Sequence, residues 1–344
     1  MRRVFERGAY ADRALHAEAG GLDGRDRALA MRLAFGTVQR KGTLDHLIEM
    51  LAERPPERID PAVLAALRLG LYELLFLHGA PDRAVVSDAV ELAKAAGGAA
   101  GSATRAGPAR SGAHTLVNAV LRRAGREGGA LLAALEDSTP RGAAVAHSHP
   151  EWIAELFWDE LGGAAARELM AANNRPAELA LRANTLRTDA GALAERLARE
   201  LGLECGRDEE IPDAIVVSGP LAAHDSRAWR EGLFVAQSRA AMLVGHALGP
   251  RPGERVLDLC AAPGGKTTHA AALMEGRGEV VALERDPRRA AALRREVARL
   301  GAGNVTVEVG DARSACPRGG RFDRVLLDPP CSGLGTLQGH PDLR

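Results

Sequence analysis

Apolar side chains in the first 136 residues recur at three- and four-residue intervals, and no stretch there alternates with a period of two. That spacing predicts helices and no strands. In "RALAMRLAFGTVQRKGTLDHLIEMLAE", Leu29, Leu33, Val38, Leu44, Leu47, Ile48 and Leu51 fall on helical stripes. "PAVLAALRLGLYELLFL" predicts a further helix with Pro61 in its first turn, where a missing N–H is harmless. "APDRAVVSDAVELAKAAG" and "HTLVNAVLRRAGRE" predict two more. Between them, residues 97–113 ("GGAAGSATRAGPARSGA") are low in complexity and are expected to form a mobile surface loop.

A second pattern starts at "HSHPEW", near Pro150. "PEWIAELFWDELG", "AAARELMAANN" and "DAGALAERLARELG" carry helical periodicity, whereas "LALRANTL" and "AIVVSGP" are strand-like, which predicts a small α+β module. From Glu254 the pattern changes again. "RVLDLC", "GEVVALE", "VTVEVGD" and "FDRVLLDPP" are short apolar strands, and "KTTHAAALM" and "DPRRAAALRREVARLG" are helices between them. Strand–helix alternation at this spacing predicts a parallel α/β sheet.

Composition narrows the picture slightly. With 344 residues and 46% hydrophobic side chains, the chain is long enough for two or three domains and is not a disordered polypeptide. Its formal net charge is zero, so any anionic partner must be met by a local patch. Arginine supplies nearly all positive charge; the lysines are Lys41, Lys94 and Lys266. Lys266 is therefore a position where a compact ammonium is a telling choice. The four cysteines, Cys205, Cys260, Cys316 and Cys331, form no C-x-x-C pair, so no metal site is expected. "MRRVFERGAYADRAL" has no apolar leader core and no run approaches the roughly 20 apolar residues of a membrane span, so a cytosolic protein is expected.

The chemistry concentrates in "VLDLCAAPGGKTTHAAAL". A triphosphate loop needs G-x-x-x-x-G-K-[ST]; Gly265, Lys266 and Thr267 fit, but Cys260 stands where the first glycine belongs. The turn sits after the first strand of the sheet, where ligands bind. Its glycines allow close backbone approach, and the helix start offers free N–H groups to a phosphate or a carboxylate. The second strand ends in Glu284, 19 residues after Gly265, placed to accept hydrogen bonds from a ribose diol. The third runs into Asp311, placed to meet an adenine amino group. Helix capping would explain either acid alone. Together behind a glycine turn they suit S-adenosylmethionine. NAD is the nearest competitor, but its G-x-G-x-x-G is absent.

At "LDLCAAPGGKTTH" and "DRVLLDPPCSG" the chain closely resembles the RNA 5-methylcytosine methyltransferases, and within them the Sun/Fmu type (RsmB-like) that acts on 16S ribosomal RNA. "AVVSDAVELAK" and "LVNAVLRR" resemble the NusB-like domain that this type carries first, and "GLFVAQSRAAMLV" the segment leading into its catalytic part. The resemblance implies a NusB-like all-α bundle over 1–138, an α+β RNA-binding module over 145–235, and an α/β Rossmann-like methyltransferase domain with an incomplete sheet over 236–344. It places cofactor contacts on Cys260, Ala261, Ala262, Pro263, Gly264, Gly265, Lys266, Glu284, Asp311 and Asp328. It implies S-adenosylmethionine as cofactor, small-subunit ribosomal RNA as partner, no metal, no membrane and a monomer.

The implied mechanism is covalent. A cysteine thiolate adds to C6 of cytosine, an acid assists at N3, C5 takes the methyl group, and elimination frees the enzyme. The base must first be flipped into a pocket. Asp328 is the base-contacting acid by this resemblance, and Cys331, the Pro-Cys cysteine, assists release. The nucleophile belongs to a later Thr-Cys motif that this sequence does not contain. The chain is expected to be C-terminally truncated, to bind cofactor weakly, to lack turnover, and to expose an aggregation-prone sheet edge. Ser238 and the pair Gln338 and Gly339 depart from the acidic and basic residues usual in the family, and Pro329 replaces its frequent alanine. Two other readings are weighed against this one. In one, an RNA-docking helical module, with Arg122, Arg123 and Arg126 on phosphates, carries an inert catalytic part. In the other, the protein is an amino-group methyltransferase of the D-P-P type, in which Cys331 would occupy the place of a stacking aromatic ring.

Overall fold

The computed structural model describes residues 1–22, 24–77, 79–99, 112–219, 221, 223, 226–314 and 320–344. Contacts divide the chain into a unit of Met1–Ala177 with Gly333–Arg344 and a unit of Glu178–Ser332. Most of residues 97–113 lie outside the described residues. No helix among the described residues is long and apolar enough to cross a membrane.

The first unit is helical: α1 (Arg2–Arg7), α2 (Ala11–Glu18), α3 (Gly24–Gln39), α4 (Lys41–Ala52), α5 (Pro61–Phe76), α6 (Asp82–Ala99), α7 (Ala113–Ala133), α8 (Pro140–Ala146), α9 (Glu151–Leu161) and α10 (Gly163–Ala172). Asp60 caps α5 by accepting from the amides of Ala62 and Val63, and Pro61 takes the first helical position. Leu44, Leu47, Ile48 and Leu51 from α4 interlock with Leu67 and Leu71 from α5 and with Val117 and Leu121 from α7. Leu29 departs from the stripe reading and stays 50% exposed. The buried residues of α3 are Gly36, Thr37 and Val38, near its C-terminal end, so its earlier apolar positions remain outside the core. A second core joins Ala143, Ile153, Phe157, Ala166 and Met170 to Leu337.

His149 sits in that neighbourhood, buried. Its Nδ1 donates to the His147 carbonyl at 2.8 Å, and Asn173 donates to its Nε2 at 3.3 Å, which fixes a neutral imidazole. Burial first, then the nearby Arg344 charge, pulls its pKa from 6.5 to about 3. The folded state therefore refuses a proton that the unfolded chain accepts below pH 6.5. Stability must fall as the pH drops from there towards 3. This group alone is expected to remove about 2 kcal/mol of unfolding free energy between pH 7.5 and 5.0. Urea unfolding at the two pH values checks it: His149→Leu should flatten that difference, and an unchanged slope would sink the assignment.

The second unit holds two sheets. β1 (Leu179–Ala183), α11 (Ala190–Leu201), β2 (Glu204–Arg207), β3 (Ala214–Ser218), α12 (Arg227–Arg230) and β4 (Phe234–Ala236) give an antiparallel sheet in the order β2-β3-β1-β4. Leu193 and Leu197 of α11 bury against Leu181, Ile215 and Phe234. β2 and β4 were not foreseen; they are four and three residues long and carry too few positions to show a period. α13 (Arg239–Leu248), capped by Ser238, leads into β5 (Arg255–Asp258), α14 (Gly265–Leu273), β6 (Glu279–Glu284), α15 (Pro287–Leu300), β7 (Val305–Val309) and β8 (Arg324–Leu326). These strands form a parallel sheet in the order β7-β6-β5-β8. Val256, Val280 and Val305 are lateral neighbours, and Ala270, Ala271 and Met274 of α14 close over them. Leu293 of α15 packs on Ala282. β8 is an edge strand, and Val325 is 52% and Leu327 60% exposed there.

Candidate functional site

The site grows from the turn between β5 and α14. Strand β5 delivers Asp258, almost fully buried, to the mouth of the sheet. Its Oδ2 accepts from Thr267 Oγ at 2.7 Å, and its Oδ1 from the Cys260 amide at 3.4 Å, so the carboxylate fastens both ends of the turn. Burial raises its pKa, with Asp328 adding to the effect and the Thr267 bond opposing it. Gly264 holds φ at 109°, and a Cβ there would meet Leu293 Cδ1 at 2.4 Å, so the turn requires glycine. Thr268 donates back to the Gly264 carbonyl at 2.7 Å.

A cleft of about 230 Å³ opens over this turn. Asp258, Cys260, Ala261, Ala262, Pro263, Gly265, Lys266 and Asp328 line it, together with Ala236, Gln237, Ser238 and Ala241. Lys266 Nζ lies 2.6 Å from Asp328 Oδ2. The sequence-derived loop residues and Asp328 thus come together. Gly264, Glu284 and Asp311 do not line the cleft; Gly264 shapes the turn from behind, Glu284 is the last residue of the neighbouring strand β6, and Asp311 follows the end of β7. Glu284 is buried, accepts from the Asp286 amide at 2.9 Å, and lies 3.7 Å from Arg289 Nη1. Arg289 in turn donates to the Ala262 carbonyl at 2.6 Å, so strand end and turn are tied. Asp311 receives the Arg313 guanidinium at 3.1 and 2.7 Å and its amide at 3.0 Å, and these hold its pKa far below the usual carboxylate range.

The cysteines separate by environment. Burial raises the Cys260 thiol, and the carboxylates of Asp258, Glu284 and Asp328 raise it further, so Cys260 is a neutral wall residue. Burial likewise raises Cys205 in β2. Cys331 is exposed. Cys316 lies outside the described residues.

Besides the alanines Ala236 and Ala241, two polar wall residues escaped the sequence reading. Asp258 had a signal, an acid closing an apolar strand directly before a glycine turn. Gln237 had none. Both atoms of its amide are buried without a hydrogen-bond partner, and Oε1 lies 3.6 Å from where a Cβ on Gly265 would be. A buried amide is rarely left so. It is a donor and an acceptor held ready for a ligand. The donor set fits a zwitterion: carboxylates for an ammonium group, and Lys266, Gln237 and the start of α14 for a carboxylate. At this volume the cleft takes one end of a ligand, being smaller than the roughly 300–1,000 Å³ that encloses a whole one. These polar groups fit the charged amino-acid end of S-adenosylmethionine.

Beneath the site lies a cluster that no spacing announces. Arg182 of β1 is 1% exposed and donates to Thr268 at 3.0 Å. The buried Asp213 carboxylate accepts from His246 Nε2 at 2.7 Å and lies 2.9 Å from His269 Nε2. Burial alone would raise the Asp213 pKa; His269 and then His246 outweigh it and bring it well below the carboxylate range. His269 itself is lowered, mainly by burial. Each carboxylate oxygen serves one imidazole at hydrogen-bond distance, beside a buried guanidinium.

Comparison with known proteins gives three family matches. The model described as 16S rRNA methyltransferase RsmB/F matches residues 245–344, the NusB family matches 1–126, and the ferredoxin-like domain of RsmF/B-like methyltransferases matches 149–224. The chain is 34% identical over 326 residues to the probable ribosomal RNA small subunit methyltransferase B of Bacillus subtilis, spanning 94% of this chain and 69% of that protein. It is 34% identical over 341 residues to ribosomal RNA small subunit methyltransferase B of Pseudomonas putida, spanning 98% and 73%. Among solved structures, the crystal structure of PH0851 superposes with a TM-score of 0.72 at 25% identity, covering 99% of this chain and 74% of that one.

Proposed function

The chain belongs to the RsmB/F family of 16S rRNA methyltransferases, and from that premise we propose that it binds S-adenosylmethionine over the β5–α14 turn for methylation of C5 of a cytosine in small-subunit ribosomal RNA. It combines a NusB domain, a small antiparallel sheet and a methyltransferase domain with a parallel sheet. The functional parts are read as 1–138, 145–235 and 236–344, with the protein acting as a monomer in the cytoplasm on ribosomal RNA or an assembly intermediate.

One observation carries the reading: a glycine turn, a buried strand-end carboxylate, the Lys266–Asp328 pair and an unpartnered Gln237 amide face a single cleft. The cofactor, when bound, supplies the methyl group. Cys260 through Gly265 shape the floor, Glu284 takes the ribose diol, and Asp311 takes the adenine amino group. Asp328 is the acid at N3 of the target base, giving a proton to N3 as the nucleophile adds to C6 and taking it back on elimination, and Lys266, 2.6 Å from its Oδ2, holds the side chain in place. Cys331, exposed three residues beyond Asp328, assists release by elimination. The attack on C6 is assigned to none of the four cysteines.

Calorimetric titration with S-adenosylmethionine tests this. The chain should bind saturably, and Asp311→Ala should weaken binding at least tenfold. Absence of binding by a folded chain would overturn the cofactor site. Incubation with 16S rRNA and methyl-labelled cofactor, followed by nucleoside chromatography, tests the chemistry. Label in 5-methylcytidine would move the nucleophile to Cys331. Label in N4-methylcytidine would overturn the C5 reading in favour of amino-group transfer.

A further inference from the structure

In the first unit a cleft of about 440 Å³ opens between α3, α5, residues 174–177 and residues 338–341. Its wall contains Arg32, Arg40 and Arg175 and no aspartate or glutamate. Among the described residues, no carboxylate pairs with any of the three. In a chain of zero net charge, that is a local excess of unopposed cations.

The apolar part of the wall carries three aromatic rings beside Met31, Leu77, Pro176, Ala177 and Pro341. Phe35 comes from α3, and Tyr72 and Phe76 from α5. The Tyr72 and Phe76 rings stack at 5.6 Å with planes 18° apart. The Arg40 guanidinium lies 4.7 Å from the Phe76 centroid. Burial raises the Tyr72 hydroxyl while the charges of Arg32 and Arg40 oppose it, so both guanidinium groups act on the space the ring faces.

We propose that this cleft is a second RNA site, in which an unpaired nucleotide stacks its base against the Tyr72–Phe76 pair while Arg32 and Arg175 hold the flanking phosphates. The inference rests on the reading that the substrate is RNA and extends it to a surface separate from the methyl-transfer site. Flat π faces and cations without counter-charges are what single-stranded nucleic acid requires. An apolar helix would strand three guanidinium groups against hydrocarbon. An acidic peptide would satisfy them but would leave the rings without a flat partner.

The test is fluorescence anisotropy on the full 344-residue chain with two labelled probes: a ten-nucleotide oligouridine and a ten-unit abasic ribose-phosphate strand of equal charge. Oligouridine should bind about tenfold tighter, the stacking contribution of a base. Phe76→Leu should erase that preference. Arg32→Glu and Arg175→Glu alter exposed side chains and should leave the melting curve unchanged. Each should weaken oligouridine about tenfold, and Arg175→Glu should lower the salt slope by about one. Equal affinity for the two probes, or full affinity in both arginine variants, overturns the proposal, and the second result would leave the cleft to a protein segment. Titration with S-adenosylmethionine on the same samples separates the two readings. A chain that binds cofactor but shows no base preference fails here alone, and one that prefers oligouridine but binds no cofactor fails at the methyltransferase site alone.

Discussion

Asp213→Ala is expected to destabilise the second unit by about 3–5 kcal/mol, the usual consequence of breaking a buried ion pair from one side. Asp213 lies among three basic groups: His246 at 2.7 Å, His269 at 2.9 Å and the Arg182 guanidinium, whose charge pulls the Asp213 carboxylate and His269 in the same acidic direction. The charges of Asp213 and then Glu296 oppose the burial of Arg182, which donates a hydrogen bond to the Thr268 hydroxyl. Removing Asp213 leaves that buried guanidinium with Glu296 as its remaining counter-charge and takes the acceptor from the His246 imidazole. Urea unfolding measures the loss. Arg182→Met combined with Asp213→Ala should lose less than the sum of the two single variants, because the stranded charge is gone. A loss under about 1 kcal/mol in Asp213→Ala, or strict additivity in the pair, would show that packing rather than charge holds this junction. The sign with pH is fixed. The folded pKa of Asp213 is depressed, so its contribution is present above about pH 4 and disappears as the pH falls through the folded value.

That junction also marks where sequence reading stops. Helices α4, α5, α7 and α11 and strands β5 and β6 were legible because their apolar residues repeat with the period of the element that buries them. The turn was legible because glycines, a lysine and strand-end acids occur within one short run. Arg182, Asp213, His246 and His269 come from β1, the approach to β3, α13 and α14, and only folding makes them neighbours. Gln237 is similar: nothing about a glutamine after a three-residue strand says that its amide faces the cleft unpartnered. Leu29 shows the converse error, since periodicity names a face but not what covers it.

Glu284→Ala is expected to weaken S-adenosylmethionine by roughly 30- to 150-fold, about 2–3 kcal/mol, the loss of charged hydrogen bonds to a ribose diol. The residue suits that role because β6 carries it to the strand end in a buried setting, where its bond from the Asp286 amide occupies Oε1 and Arg289 stands 3.7 Å from Oε2. Acceptor capacity remains on a carboxylate whose rotamer is already fixed, so little ordering is left to oppose binding. The same contacts give a structural competitor. Losing the Asp286 bond weakens the start of α15, and releasing Arg289 loosens its bond to the Ala262 carbonyl, so the turn itself can shift. The two origins part company in a ligand comparison. If Glu284 holds the diol, the wild-type chain prefers S-adenosylmethionine to its 2′,3′-dideoxy analogue, and Glu284→Ala binds both alike. If Glu284 only braces the turn, the variant weakens both ligands by the same factor and the preference survives. A folded variant that binds S-adenosylmethionine as tightly as the parent chain would remove Glu284 from the site and leave the ribose to be held by the turn alone.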